Sequence, residues 1–107
     1  MKIDVKQLEF IDQTLRNILA WVEKETGAEF TITSLYRIGD KGVHGTLPVR
    51  GCDLRMRNQM VGEKLEKLVN LNWLYDFNRH EKSCAYLHGK ESSLHLHIQS
   101  HPNTQEL

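Results

Sequence analysis

Apolar residues recur along the first part of the chain at Val5, Leu8, Ile11, Leu15, Ile18, Leu19 and Val22. Steps of three and four line one face of an α-helix, so the pattern predicts a first helix over residues 4–26. Asp4 with Gln7 three residues later reads as a capping box, and Gly27 suits a left-handed cap at the far end. The period then changes. Over residues 29–36 threonines alternate with Phe30 and Ile32, a β-branched and aromatic pattern that favours a strand. A second strand is expected over residues 49–56. The connection between them, residues 38–47, holds three glycines with Asp40 and Thr46, a loop long enough to suggest function rather than mere connection.

Val61, Leu65, Leu68 and Val69 return to helical spacing behind Asn58, a good N-cap, and predict a second helix over residues 58–70. Trp73, Tyr75 and Phe77 alternate in a short extended segment, residues 78–83 read as polar loop, and residues 84–88 and 94–100 read as two strands around a turn at 89–93. The order αββαβββ is that of an α+β fold, a small antiparallel sheet with two helices. The polar residues 101–107 read as a loose tail. The 107 residues suffice for one domain.

Composition narrows the function classes. Fourteen Lys and Arg balance fourteen Asp and Glu, which argues against a nucleic-acid binder, whose surface carries a basic excess. No apolar run approaches the ~20 residues that span a bilayer, so no membrane insertion is expected, and the chain reads as a monomer. Two cysteines are too few for a disulfide framework, and no charged segment followed by an apolar one opens the chain. Synthesis in the cytoplasm is therefore expected, with Cys52 and Cys84 buried as small hydrophobes.

Six histidines are a surplus, and their positions carry the chemistry. In the last long strand His95 and His97 share one face, while Leu94, Leu96 and Ile98 point the other way. A His-x-His pair brings two neutral nitrogen donors together, as metal sites require. A catalytic zinc takes about three protein ligands and leaves a position open. In the strand over 49–56, Cys52, Leu54 and Met56 form the apolar face, which turns Gly51, Asp53 and Arg55 to the opposite one. Asp53 is thus a candidate ligand, and His44 in the glycine-containing loop is a third. Periodicity alone leaves this reading level with a solvated polar face bearing unrelated histidines.

The segments Thr33-Ser34-Leu35-Tyr36-Arg37, Val43-His44-Gly45, Arg50-Gly51-Cys52-Asp53-Leu54-Arg55 and His95-Leu96-His97-Ile98-Gln99 resemble, in order, the motifs of the zinc D-alanyl-D-alanine peptidases and their phage-encoded relatives. That family shares its fold with the hedgehog signalling domain. The resemblance covers nearly the whole chain after the first helix. It implies that His44, Asp53 and His97 bind Zn²⁺ and that Arg37 holds the substrate carbonyl or carboxylate, its guanidinium stabilising the developing oxyanion. Eight residues separate His44 from Asp53, against six in the usual spacing.

Many members carry a glutamate three residues before the last histidine, where this chain has Leu94. In the His-x-His branch of the superfamily the first histidine takes the proton, which implies His95 as the general base. Glu91 is a weaker substitute, His88 ends the neighbouring strand, and His80 and His101 read as surface residues. The expected activity is peptide-bond hydrolysis in peptidoglycan stem peptides by a phage- or prophage-encoded enzyme released to the cell wall. The alternative is an inactive, zinc-stabilised binding or phage structural module of the same fold. Leu94 favours the alternative; Arg37 and His95 favour the enzyme.

Overall fold

The computed structural model of the chain describes residues 10–34, 41 and 47–107. Helix α1 spans Gln13–Thr26 and starts later than the apolar spacing predicts. Ile11 forms a parallel bridge with Val49, the Phe10 carbonyl accepts the Val49 N–H, and the Asp12 N–H donates to the Val49 carbonyl at 2.9 Å. Residues committed to that extended pairing cannot also be helical, so a continuous helix over 4–26 is corrected. Asp12 is the N-cap, accepting from the Leu15 N–H at 3.1 Å. The capping box at Asp4 and Gln7 lies outside the described residues. Gly27 closes α1 at φ 66° as expected, a left-handed conformation that glycine adopts without steric cost.

Strand β1 is Ile32–Ser34 and strand β2 is Gly51–Arg55. Asn58 caps helix α2, Gln59–Asn72, by accepting from the Met60 and Val61 N–H groups. A two-residue strand β3, Trp73–Leu74, follows, then β4, Ala85–His88, and β5, His95–Gln99. The expected extended run from Trp73 to Phe77 is therefore shorter: Trp73 and Tyr75 are buried, but Phe77 is exposed in a turn.

The main sheet has the order β1-β2-β5-β4, with every neighbouring pair antiparallel. This bears out the α+β class with two helices and a small antiparallel sheet. Its apolar face carries Cys52, Leu54, Ala85, Leu96 and Ile98, which join Leu15, Ile18 and Val22 of α1 and Leu65 and Val69 of α2 in one core. Burying each large aliphatic side chain there stabilises the fold by roughly 1.5–3 kcal/mol. Helix α2 also closes the outer edge of β4. The Asn70 amide donates to the Ala85 carbonyl at 2.9 Å and accepts its N–H at 3.0 Å, and Glu66 accepts the Leu87 N–H at 2.6 Å. Backbone groups that would otherwise invite another strand are thereby occupied.

The expectation of a loose tail at residues 101–107 is corrected. Strand β6, Gln105–Glu106, pairs antiparallel with β3, and the Leu107 N–H donates to the Asn72 carbonyl at 2.8 Å. Thr104 Oγ1 adds a bond to the Tyr75 carbonyl at 2.7 Å. This attachment is made by backbone and polar side chains, so it left no hydrophobic alternation to read.

Candidate active site on the polar face of the sheet

The alternation that buries Cys52, Leu54, Leu96 and Ile98 places Asp53, Arg55, His95, His97 and Gln99 on the opposite face. Register then sets the neighbours: Asp53 lies across from His97 and Arg55 across from His95, while on the other side Tyr86 faces His97 and His88 faces His95. Six polar or aromatic side chains from three strands are thus gathered by strand pairing alone.

At the centre, Asp53 Oδ1 and His97 Nδ1 are 2.8 Å apart. Asp53 is only 6% exposed, and a carboxylate withdrawn from water this far needs a polar partner or a cation. On its other side His97 Nε2 lies 3.1 Å from Gln99 Oε1, and the Gln99 amide nitrogen donates to the Ser83 carbonyl at 2.9 Å. Thr33 Oγ1 donates to the Asp53 carbonyl at 3.3 Å, tying β1 to the same position.

His95 is half-buried, with Nδ1 2.9 Å from the Ser93 carbonyl. A carbonyl only accepts, so Nδ1 carries the hydrogen and the neutral ring keeps its lone pair on Nε2. The His88 ring lies 5.7 Å from that of His95 and stacks on Tyr86 at 6.0 Å. The turn that joins these two histidines depends on Gly89, at φ 82°, where a Cβ would come within 2.3 Å of the Ser93 carbonyl oxygen.

A cleft of about 210 Å³ opens on this face, with Asp53, Arg55, His95, Thr33 and Leu94 in its wall. Two clefts of about 420 Å³ adjoin it through Arg55, but among the described residues neither has Asp53 or a histidine in its wall. Asp53 and His95 therefore belong to the smaller cleft.

Of the five residues predicted for the site, Asp53, His95 and His97 come together. His44 and Arg37 lie outside the described residues, and no group of three His, Cys, Asp or Glu suited to a metal occurs among the described residues. Glu91 is an exposed turn residue, as is His80 in its own loop. His101 is not a free surface residue as expected: its ring packs on Tyr75 at 5.6 Å. Arg55 and Gln99 were read only as polar-face or motif positions. Their same-face spacing from Asp53 and His97 was visible; their partners depend on strand pairing.

Both thiols lie in the hydrophobic core rather than on the polar face. Burial and the neighbouring Asp53 charge push the Cys52 thiol far up, and burial pushes Cys84 up to about 12, so both stay protonated at neutral pH. Among the described residues no helix is long and apolar enough to cross a membrane. Comparison with family models, with curated proteins and with solved structures found no match to this chain.

Proposed function

We propose that this chain is a zinc-dependent peptidase-like domain that hydrolyses a peptide bond in peptidoglycan stem peptides. The observation that carries the reading is the 2.8 Å approach of Asp53 Oδ1 to His97 Nδ1 on the sheet face opposite the core. An oxygen and a nitrogen donor from separate strands converge at the edge of a cleft, and they fit zinc in donor type. The proposed ligand set is Asp53, His97 and His44. When bound, zinc supplies Lewis acidity, acidifying water and polarising a carbonyl.

The chain's own residues supply the rest. His95 presents an unprotonated Nε2, its other nitrogen being committed to the Ser93 carbonyl, and a neutral imidazole accepts a proton efficiently near neutral pH. Arg55, exposed in the cleft wall, attracts a substrate carboxylate, a role that the resemblance gives to Arg37. A cleft of about 210 Å³ admits the end of a peptide rather than a folded chain. The proposed hedgehog-like fold, the phage origin and the release to a cell wall follow from the sequence resemblance.

A second reading keeps zinc but not turnover, and one observation favours it. Leu94 is 4% exposed and belongs to the core, so the place of the glutamate common in the resembled family is apolar. Metal analysis of the purified protein together with hydrolysis of muropeptides tests both. One equivalent of zinc with cleavage is expected. Zinc without cleavage of any muropeptide hands the site to the binding module, and absence of zinc overturns both readings.

A further inference from the structure

We propose that Arg57 forms a second anionic subsite beside the cleft that holds Asp53 and His95, and that the chain therefore selects peptides with a carboxylate in their interior. The proposal rests on the peptidase reading for the kind of ligand, but its geometry involves no metal. Past the end of β2 the alternation continues: Arg55 and Arg57 are exposed, and Met56 between them is buried. Pairing holds this stretch on both sides. The Arg55 N–H donates to the Thr31 carbonyl at 3.0 Å, and the Met56 N–H to the Leu94 carbonyl at 3.1 Å. Arg57 follows at a bend just before α2, four steps along the chain from Asp53, a span of up to about 13 Å.

Three clefts meet at Arg55, which stands in the wall of each. The cleft with Asp53 and His95 also shares Ser92 with one of its larger neighbours, a space of about 420 Å³ whose wall includes Arg57 and Glu91. A peptide that starts in the smaller cleft can thus run past Arg55 and Ser92 into the larger one.

Arg57 has no structural task that would occupy it. Among the described residues neither Arg55 nor Arg57 has a side-chain ion pair or hydrogen bond, Glu29 and Glu91 in the same cleft walls included. Nor does Arg57 serve α2, because a cation at the start of a helix opposes the backbone dipole and no acidic residue stands in the first turn to offset it. The larger cleft therefore sets two guanidinium groups against one carboxylate. Glu91, which supplies that carboxylate, has φ 53°, a left-handed backbone that is costly for a residue with a side chain and recurs where ligands are held. A guanidinium matches the two oxygens of a carboxylate with parallel N–H donors. Arg55, beside Asp53, takes the carboxylate nearer the reacting bond, and Arg57 takes one further along the peptide.

Two peptides test this. One is a stem pentapeptide with lysine at its third position, whose side-chain-linked glutamate keeps a free α-carboxylate; the other is the same peptide with that carboxyl amidated. Both keep a free C-terminus. Titration followed by ¹H–¹⁵N spectra of the full chain gives the two dissociation constants, and hydrolysis gives kcat and KM. The wild type is expected to prefer the acidic peptide about fivefold, the upper range for an exposed ion pair, with the preference carried by KM and fading at high salt. Arg57→Gln should bring the ratio to about one. Arg57→Lys should keep most of it, and Arg57→Glu should invert it in favour of the amidated peptide.

Equal affinity of the wild type for the two peptides overturns the proposal, and so does failure to bind either. A preference that survives in Arg57→Gln overturns it as well, even where both peptides are hydrolysed and the peptidase reading stands. If Arg57→Gln abolishes a preference seen in binding while neither peptide is cleaved, the peptidase reading fails and the subsite stands.

Discussion

Asp53 and Asp76 are both nearly buried, at 6% and 3% exposure, and each has a histidine nearby, yet their surroundings differ. Asp76 is met by donors. Its Oδ1 accepts from the Asn78 N–H at 2.9 Å and the Asn103 amide at 3.1 Å, and its Oδ2 accepts from Arg79 Nε at 2.8 Å. The backbone bond first, then the Arg79 guanidinium, hold its pKa at about 2. The nearby nitrogen, His101 Nδ1, accepts the Asn103 N–H at 3.1 Å, so it has no hydrogen for Asp76. This aspartate ties the loop after β3 to the tail that precedes β6. Asp53 instead lies 2.8 Å from His97 Nδ1, whose other ring nitrogen lies 3.1 Å from Gln99 Oε1, and it does so in the wall of a cleft. A buried Asp beside a His is thus not in itself a reactive site; a place in the wall of a cleft on the polar sheet face distinguishes Asp53 from Asp76.

The largest effect expected is on metal content. His97→Ala and Asp53→Ala should each abolish stoichiometric zinc, whereas Asp76→Asn should leave it intact; metal analysis of the three proteins decides. A full equivalent of zinc in either of the first two would break the comparison. His95→Ala comes next: it should retain zinc and slow muropeptide hydrolysis by about 10²- to 10⁴-fold. Loss of zinc in that variant would make His95 a ligand and require the assignment of Asp53 or His97 to be revised.

Two further expectations concern stability. Gly89→Ala forces a side chain into a left-handed backbone position and against the Ser93 carbonyl oxygen, 2.3 Å from the added Cβ, and should cost about 1–3 kcal/mol in denaturant unfolding. The smallest effect separates the aspartates by pH. Asp76 titrates at about 2 when folded against an ordinary 3.8, so its contribution is full above about pH 4 and is lost as pH falls through about 2. The stability gap between wild type and Asp76→Asn should therefore close over that range. A gap that stays constant down to pH 2 would show that Asp76 acts through packing rather than charge.

The period-2 pattern at 94–100 sorted Leu94, Leu96 and Ile98 from His95 and His97, and the same rule in the second strand sorted Leu54 from Asp53. Both assignments rest on local geometry and hold. The start of α1 was illegible for the opposite reason. Val5, Leu8 and Ile11 continue the helical spacing, but Ile11 pairs with Val49, a contact 38 positions away in the chain. Asp12 is consequently the cap, and Ser100 Oγ donates to the same carboxylate oxygen at 2.9 Å, adding a tie to the end of β5.

Sequence by itself determined the two amphipathic helices' apolar faces, the caps at Asn58 and Gly27, and which face of each central strand is polar, because these depend on residues a few positions apart. Tertiary structure alone decided that Asp53 stands opposite His97 and that Gln99 is oriented by Ser83. It also decided that the polar tail is a strand and that Asp76 is its anchor. Strand register and hydrogen-bond direction are properties of groups brought together from distant parts of the chain. No local period encodes them.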